Sequence, residues 1–116
     1  VVLLYATGPF IKASHIEDGL KKIAAGADSV VAVCEDTRNY KLWSAKKKPL
    51  FKKRVNRQSV EKVYHETGAL YIMTYETLMG NAITGKRTEF VFMKPEESID
   101  IDNPLDFVIA EALMKR

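Results

Sequence analysis

Asp100 and Asp102 are the residues of this chain best placed to do chemistry. The segment Ile99-Asp100-Ile101-Asp102 alternates apolar and acidic side chains. In extended backbone this puts both carboxylates on one face and both isoleucines on the other. Residues two apart on a strand face are about 6.5–7 Å apart at the backbone, close enough to converge on one hard cation. Mg²⁺ suits such a pair, because it takes one or two carboxylates and completes its shell with water and phosphate oxygens. The competing reading is structural: Asp102 caps the helix that follows, and Asp100 is solvated. Both stand on these two residues.

A second chemical feature is the run Lys46-Lys47-Lys48-Pro49-Leu50-Phe51-Lys52-Lys53-Arg54, which holds six of the 18 basic residues and no acid. The remaining 12 bases face 15 acids, so the net charge of +3 belongs to one segment and not to the whole surface. That pattern argues against a domain-wide nucleic-acid footprint. It fits a solvated charged excursion, or a rim that attracts a polyanion such as a triphosphate or an acidic sugar. Tyr40, Trp43 and Phe51 lie nearby, and aromatics between bases can also stack on nucleotides.

Other motifs carry less. Gly80 to Thr88 nearly spells a phosphate-cradling Gly-x-x-x-x-Gly-Lys-Ser/Thr loop, but Arg87 stands where the hydroxyl belongs. A short helix precedes it and a strand follows, the reverse of what that loop needs, so it reads as a turn. His65-Glu66 lacks the second histidine of a zinc-protease motif, and His15 is expected to be exposed in the first turn of a helix. The lone Cys34 excludes an internal disulfide and a cysteine-rich zinc site, and reads as an inert core thiol.

The elements that must position these groups are legible in the apolar pattern. Val1 to Ala6 is a continuous apolar run, expected to be a strand buried on both faces as in a parallel sheet. Ser14-His15-Ile16-Glu17 reads as a capping box, with Ile16, Leu20, Ile23 and Ala24 at helical spacing and Gly26 as a left-handed C-terminal cap. Ser29 to Cys34 is a second buried strand, and strand–helix–strand is a right-handed βαβ unit. Residues 35–66 show no sustained period and are too long for an ordinary connection, so they form a functional or interface excursion. Ala69 to Thr74 and Thr88 to Lys94 read as strands, and Tyr75 to Met79 as a short helix. Asn103-Pro104-Leu105-Asp106 starts a last helix, with Asn as N-cap, and Leu105, Val108, Ile109, Ala112 and Leu113 as its expected buried stripe.

With 116 residues the prior is one domain, able to bury roughly 65% of its unfolded surface. A composition of 47% hydrophobic and 28% charged residues excludes a disordered tail or a disulfide scaffold, and no apolar run reaches the roughly 18 residues of a membrane span. The fold class is α/β: a partial Rossmann-like, mainly parallel sheet flanked by helices, with a basic excursion. Opening inside an expected buried strand, with neither Met nor a basic leader, the chain reads as a fragment.

The ordered set Tyr5-Ala6-Thr7-Gly8-Pro9-Phe10, Asp28 to Val33, Arg57-Gln58, Thr67-Gly68-Ala69-Leu70-Tyr71, and Glu97 to Asp102 with Asp106 and Ala110-Glu111 resembles the acylneuraminate cytidylyltransferases, also called CMP-sialic acid synthetases. The resemblance runs over essentially the whole chain, and its most specific part is Ser98-Ile99-Asp100-Ile101-Asp102. It implies the nucleotide-diphospho-sugar transferase type of fold, with residues 1–116 as the C-terminal half of a larger domain and residues 35–66 as the dimer interface. It implies transfer of CMP from CTP to an acidic nine-carbon sugar with release of pyrophosphate, a reaction for which this half alone is incomplete. By resemblance Asp100 and Asp102 are the catalytic Mg²⁺ ligands. Thr7, Arg57, Gln58 and Tyr71 bind the sugar, with Arg57 suited to its carboxylate. A cytoplasmic homodimer is implied, with no nucleic-acid or membrane partner. Tyr5, Gly8 and Thr67 stand where the family often has Gln, Ser and Asn, closer to branches that handle pseudaminic or legionaminic acid. The alternative is a non-catalytic truncated α/β module that binds a partner or polyanion through its basic loop.

Overall fold

The computed structural model describes residues 1–116 except 39, 40, 55, 57, 59 and 60. Tyr40 and Arg57, both singled out above, therefore lie outside the described residues. The elements run β1 (Val2–Leu4), α1 (Ala13–Ala24), β2 (Ser29–Asp36), β3 (Val63–Met73), α2 (Tyr75–Met79), β4 (Thr88–Phe92), a single 3₁₀ turn (Pro95–Glu97) and α3 (Pro104–Met114). Two compact units are present: residues 1–34 with 66–116, and residues 35–65.

The first unit is built on a four-stranded sheet of order β1-β3-β2-β4. The β2–β4 pair is parallel, in register from Ser29 opposite Thr88 to Val33 opposite Phe92. The β1–β3 pair is antiparallel, with Val2 opposite Ile72 and Leu4 opposite Leu70. The sheet is therefore α/β and mixed, where the sequence suggested a mainly parallel one. An unbroken apolar run does not encode strand direction, and that is the physical source of the difference. β1 is also not buried on both faces. It is an edge strand of three residues beside β3, with Val2 and Leu4 exposed.

β2 behaves as its composition requires, with Ser29 through Cys34 all buried. The core joins Val30, Ala32, Ala69, Leu70, Ile72, Val91 and Met93, and Ile11, Ile16 and Ile23 pack against it. Gly19 lets α1 come close to the sheet, since a Cβ there would lie 2.5 Å from the Cδ1 of Ile72.

α1 ends as expected, with Gly26 at φ +116° just past the helix, a conformation that costs glycine little. Its start differs. The N-cap is Lys12, not Ser14, and the Lys12 backbone N–H donates to the Nδ1 of His15 at 2.9 Å. His15 is buried rather than exposed, because its ring turns back over the first turn to reach this donor.

The turn before β4 explains the phosphate-loop lookalike. The backbone N–H groups of Lys86 and Arg87 point at the Asp28 carboxylate, at 2.9 and 3.1 Å, and the N–H of Gly85 donates to the Ser29 hydroxyl at 2.9 Å. An internal carboxylate fills the place a phosphate would take.

Residues 99–102 are irregular backbone between the 3₁₀ turn and α3, not a strand. Asn103 caps α3 as expected, accepting the Asp106 N–H at 2.9 Å. The expected buried stripe of α3 is not buried. Leu105 and Val108 are 66% and 59% exposed, Ile109 and Ala112 are exposed too, Leu113 is half-buried, and of this helix only Ala110 is buried. An apolar stripe identifies a face but cannot say whether another element covers it.

In the second unit, a tight loop closes at the antiparallel bridge of Trp43 with Pro49, with the Leu50 N–H donating to Leu42 O at 2.8 Å. Lys47 turns the chain at φ +64°. Trp43 meets Phe51 edge-on at 5.7 Å, and the Arg54 guanidinium lies 5.4 Å from the centre of the Phe51 ring.

Candidate functional site

A cavity of about 330 Å³ opens in the first unit, lined by Tyr5, Thr7, Glu66, Gly68, Tyr71, Ile83, Thr84 and Asp100. Each wall has a local cause. Thr7 sits in the loop after β1, where Gly8 presses so closely on Ala69 that a Cβ would approach the Ala69 Cβ to 2.5 Å. The Ile101 N–H donates to Thr7 O at 2.9 Å, tying the acidic segment to that loop. Ile83 and Thr84 come from the turn that Asp28 pins from the other side.

β3 supplies the wall with the most chemistry. In an unbroken strand, residues 66 and 71 would project to opposite faces. Gly68 at φ +75° interrupts the alternation as a glycine bulge does. As a result Glu66 and Tyr71 reach each other, and the Tyr71 hydroxyl donates to Glu66 Oε2 at 2.8 Å. Tyr5 packs edge-on against Tyr71, with ring centres 5.9 Å apart. Burial, the hydrogen bond to Glu66 and the negative charges of Glu66 and Asp100 push the Tyr71 phenol up to about 12, so at neutral pH it stays an O–H donor.

Asp100 comes from the loop before α3 and lies against Gly68 of β3. Its Oδ2 would be 3.4 Å from a Cβ at Gly68. Its Oδ1 is buried and has no hydrogen-bond partner among the described residues. A buried carboxylate oxygen without a donor is costly, and a cation or a ligand N–H or O–H would satisfy it. The donor set is all hard oxygen, which suits Mg²⁺ and excludes a soft-metal site. No group of three or more His, Cys, Asp or Glu side chains able to hold a metal ion occurs among the described residues. Any cation here would therefore take most of its shell from water and a phosphate-bearing ligand.

The sequence-derived residues divide as follows. Thr7, Tyr71 and Asp100 are brought together around the cavity. Asp102 is exposed and does not line it, and its backbone N–H donates to Asp106 Oδ2 at 3.1 Å. Asp102 is not the helix cap either, since Asn103 has that role. Gln58 is exposed in the second unit, and Arg57 is outside the described residues. Thr67 is turned into the core, where its hydroxyl donates to Ala32 O at 3.3 Å. The sequence reading missed Glu66, and the only hint was the glycine two residues after it.

Near the acidic segment sits an ionic cluster in which Glu97 and His15 are buried and Lys12 is exposed. Glu97 pairs with the Lys12 ammonium at 2.6 Å, accepts the Lys94 N–H at 2.9 Å and lies 3.5 Å from the His15 Nε2. The hydrogen bonds from Lys12 and Lys94 outweigh the effect of burial and hold Glu97 down at about 2. This anchors the 3₁₀ turn to the start of α1, two residues before the loop that carries Asp100.

No protein-family model matches the chain. Among curated proteins, it is 38% identical over 60 residues to the Post-translational flagellin modification protein B of Campylobacter coli. That alignment takes in 51% of this chain and 26% of the Campylobacter protein, so the chain spans about a quarter of the length of the relative it matches. Among the described residues, no helix is long and apolar enough to cross a membrane.

Proposed function

We propose that this chain is the sugar- and metal-binding part of a nucleotidyltransferase that moves CMP from CTP onto an acidic nine-carbon sugar and releases pyrophosphate. The observation that carries the reading is the cavity in which Asp100, with an unsatisfied buried oxygen, faces an aromatic and hydroxyl wall of Tyr5, Tyr71 and Thr7. The resemblance of the Ser98–Asp102 segment to the cytidylyltransferases and the partial similarity to a flagellin modification protein support it.

In this reading the aromatic pair packs against the sugar ring, and the hydroxyls orient it. The sugar's anomeric hydroxyl gives up its proton to solvent as its oxygen bonds to the α-phosphorus, and the bond to pyrophosphate breaks, so that pyrophosphate leaves. Asp100 at the cavity and Asp102, exposed two residues on, would hold Mg²⁺, which would neutralise charge on the phosphates. The Ile101 N–H to Thr7 O bond keeps the acidic loop in step with the sugar side of the cavity. Arg57 would take the sugar carboxylate as a bidentate partner, with Gln58 beside it. The whole enzyme is a homodimer in this reading, with residues 35–66 at its interface.

The test is pyrophosphate release from CTP, Mg²⁺ and a panel of acidic nine-carbon sugars by the intact protein. Turnover with at least one sugar, reduced about 100-fold or more by Asp100→Ala or Asp102→Ala, is the expected result. Turnover that ignores both substitutions removes the metal assignment, and no turnover with any sugar removes the reading.

A second reading has its own observation. The loop that closes at Trp43 and Pro49 presents Lys46, Lys47 and Lys48, all exposed, as a separate cationic knob. It favours a module that binds a polyanion. Replacing the six bases of residues 46–54 should then abolish polyanion binding, while a cytidylyltransferase would keep its transfer activity.

A further inference from the structure

The cavity is lopsided in charge. Among the described residues its lining holds two carboxylates, Glu66 and Asp100, and no Lys, Arg or His. Glu66 differs from Asp100 in being oriented: the Tyr71 hydroxyl holds Oε2 at 2.8 Å. That one bond leaves the rest of the carboxylate's acceptor capacity open, since an ionised carboxylate accepts at about four lone-pair sites. Tyr71 is itself steadied by the edge-on Tyr5 ring. Glu66 is therefore an acceptor held in place at the rim of a cavity large enough for a sugar ring.

We propose that Glu66 is a specificity-determining residue of this cavity: it accepts a hydrogen bond from an N–H or O–H substituent of the sugar and turns the sugar's own carboxylate away from the β3 wall. This deepens the functional reading above and rests on it. The physics is differential. Glu66 is exposed, so the discrimination arises when a seated sugar covers it. An acceptor covered in the complex without a donor rejects an analogue far more strongly than a change of size does. A ligand carboxylate next to Glu66 would meet a like charge. The ligand's anionic end must therefore point out of this part of the cavity, and its donor-rich end must point in.

The test is equilibrium binding to the intact protein, read by calorimetry or saturation-transfer NMR. The ligands are an acidic nine-carbon sugar bound by the wild type, its methyl ester, and single-position analogues. In the analogues one acylamino group becomes an acyloxy group, or one hydroxyl becomes a methoxy group, so the two arms separate N–H from O–H donors. In the wild type, one such analogue should bind about 10-fold or more weakly than the parent. Glu66→Ala should shrink that penalty to about 2-fold, and Glu66→Gln should leave an intermediate value. Parent and methyl ester should lose affinity by the same factor in both variants. The proposal is overturned if the penalty persists in Glu66→Ala, or if all analogues bind the wild type as the parent does. It is also overturned if Glu66→Gln tightens the parent but not the ester, because the ligand carboxylate would then face Glu66. A wild type that binds no acidic sugar overturns the functional reading and this inference together.

Discussion

Glu97 shows how much one side chain can do when its partners come from distant parts of the chain. Lys12, Lys94 and His15 hold it against the start of α1, and Glu97 is buried with only 8% of its surface exposed. Because its acidity lies near 2 rather than 4.5, the folded state favours the ionised form. The stabilisation is therefore present in full above pH 4.5 and is lost as the pH falls toward 2. Urea midpoints measured from pH 6 to pH 2 should fall across that window. Glu97→Gln should flatten the fall and cost about 1–3 kcal/mol at pH 7, as expected for hydrogen bonds to a charged group. An unchanged pH profile would show that the cluster does not couple to folding. At the same scale, the Tyr71 phenol should ionise only near pH 12 in a spectrophotometric titration, and Glu66→Gln should bring it down toward the ordinary range.

Among the elements, the turn before β4 depends on Asp28. Desolvation pushes the pKa of this carboxylate up, but the backbone N–H groups of Arg87 and Lys86, the Ser29 hydroxyl and the Arg87 charge outweigh it, and the net shift is downward. The carbonyl of Asp28 also accepts the Thr74 N–H at 3.1 Å and the Thr77 hydroxyl at 3.2 Å, so one residue links the ends of α2 and β4. Asp28→Ala should therefore speed amide exchange at Lys86 and Arg87, while the amides of β2 stay protected. Loss of protection in β2 as well would mean that the turn and the sheet open as one unit. α1 offers a packing test. Gly19→Ala places a methyl against the Ile72 side chain, which has some freedom to move, and should cost about 1–3 kcal/mol in thermal or urea unfolding.

Over the whole molecule, apolar surface is spread unevenly. β2 and the inner face of β3 are nearly sealed, while α3 exposes Leu105, Phe107, Val108 and Met114. Phe107 is 59% exposed, so Phe107→Ser removes little buried area and should change stability by less than about 0.5 kcal/mol. Ile72→Ala, at 1% exposure, should cost about 2–5 kcal/mol. Similar losses for the two variants would show that α3 is covered in solution.

Local rules settled a good deal without any structure. The caps Gly26 and Asn103, the buried run of β2, the short helix α2 and the turn at residues 81–85 all follow from side chains within a few positions of one another. So does the rejection of the phosphate-loop lookalike, although the Asp28 carboxylate that fills it lies about sixty residues earlier in the chain. Asp100 also stood out by type and spacing, and Tyr71 by the family resemblance. What the sequence left open depends on contacts between distant segments. The antiparallel placement of β1, the exposure of α3, the burial of His15 against Glu97 and the meeting of Glu66 with Tyr71 are decisions of that kind. A residue pattern records which groups avoid water and which way the backbone is free to turn. It does not record which partner arrives across the fold, and a single glycine at φ +75° was enough to move Glu66 into the site.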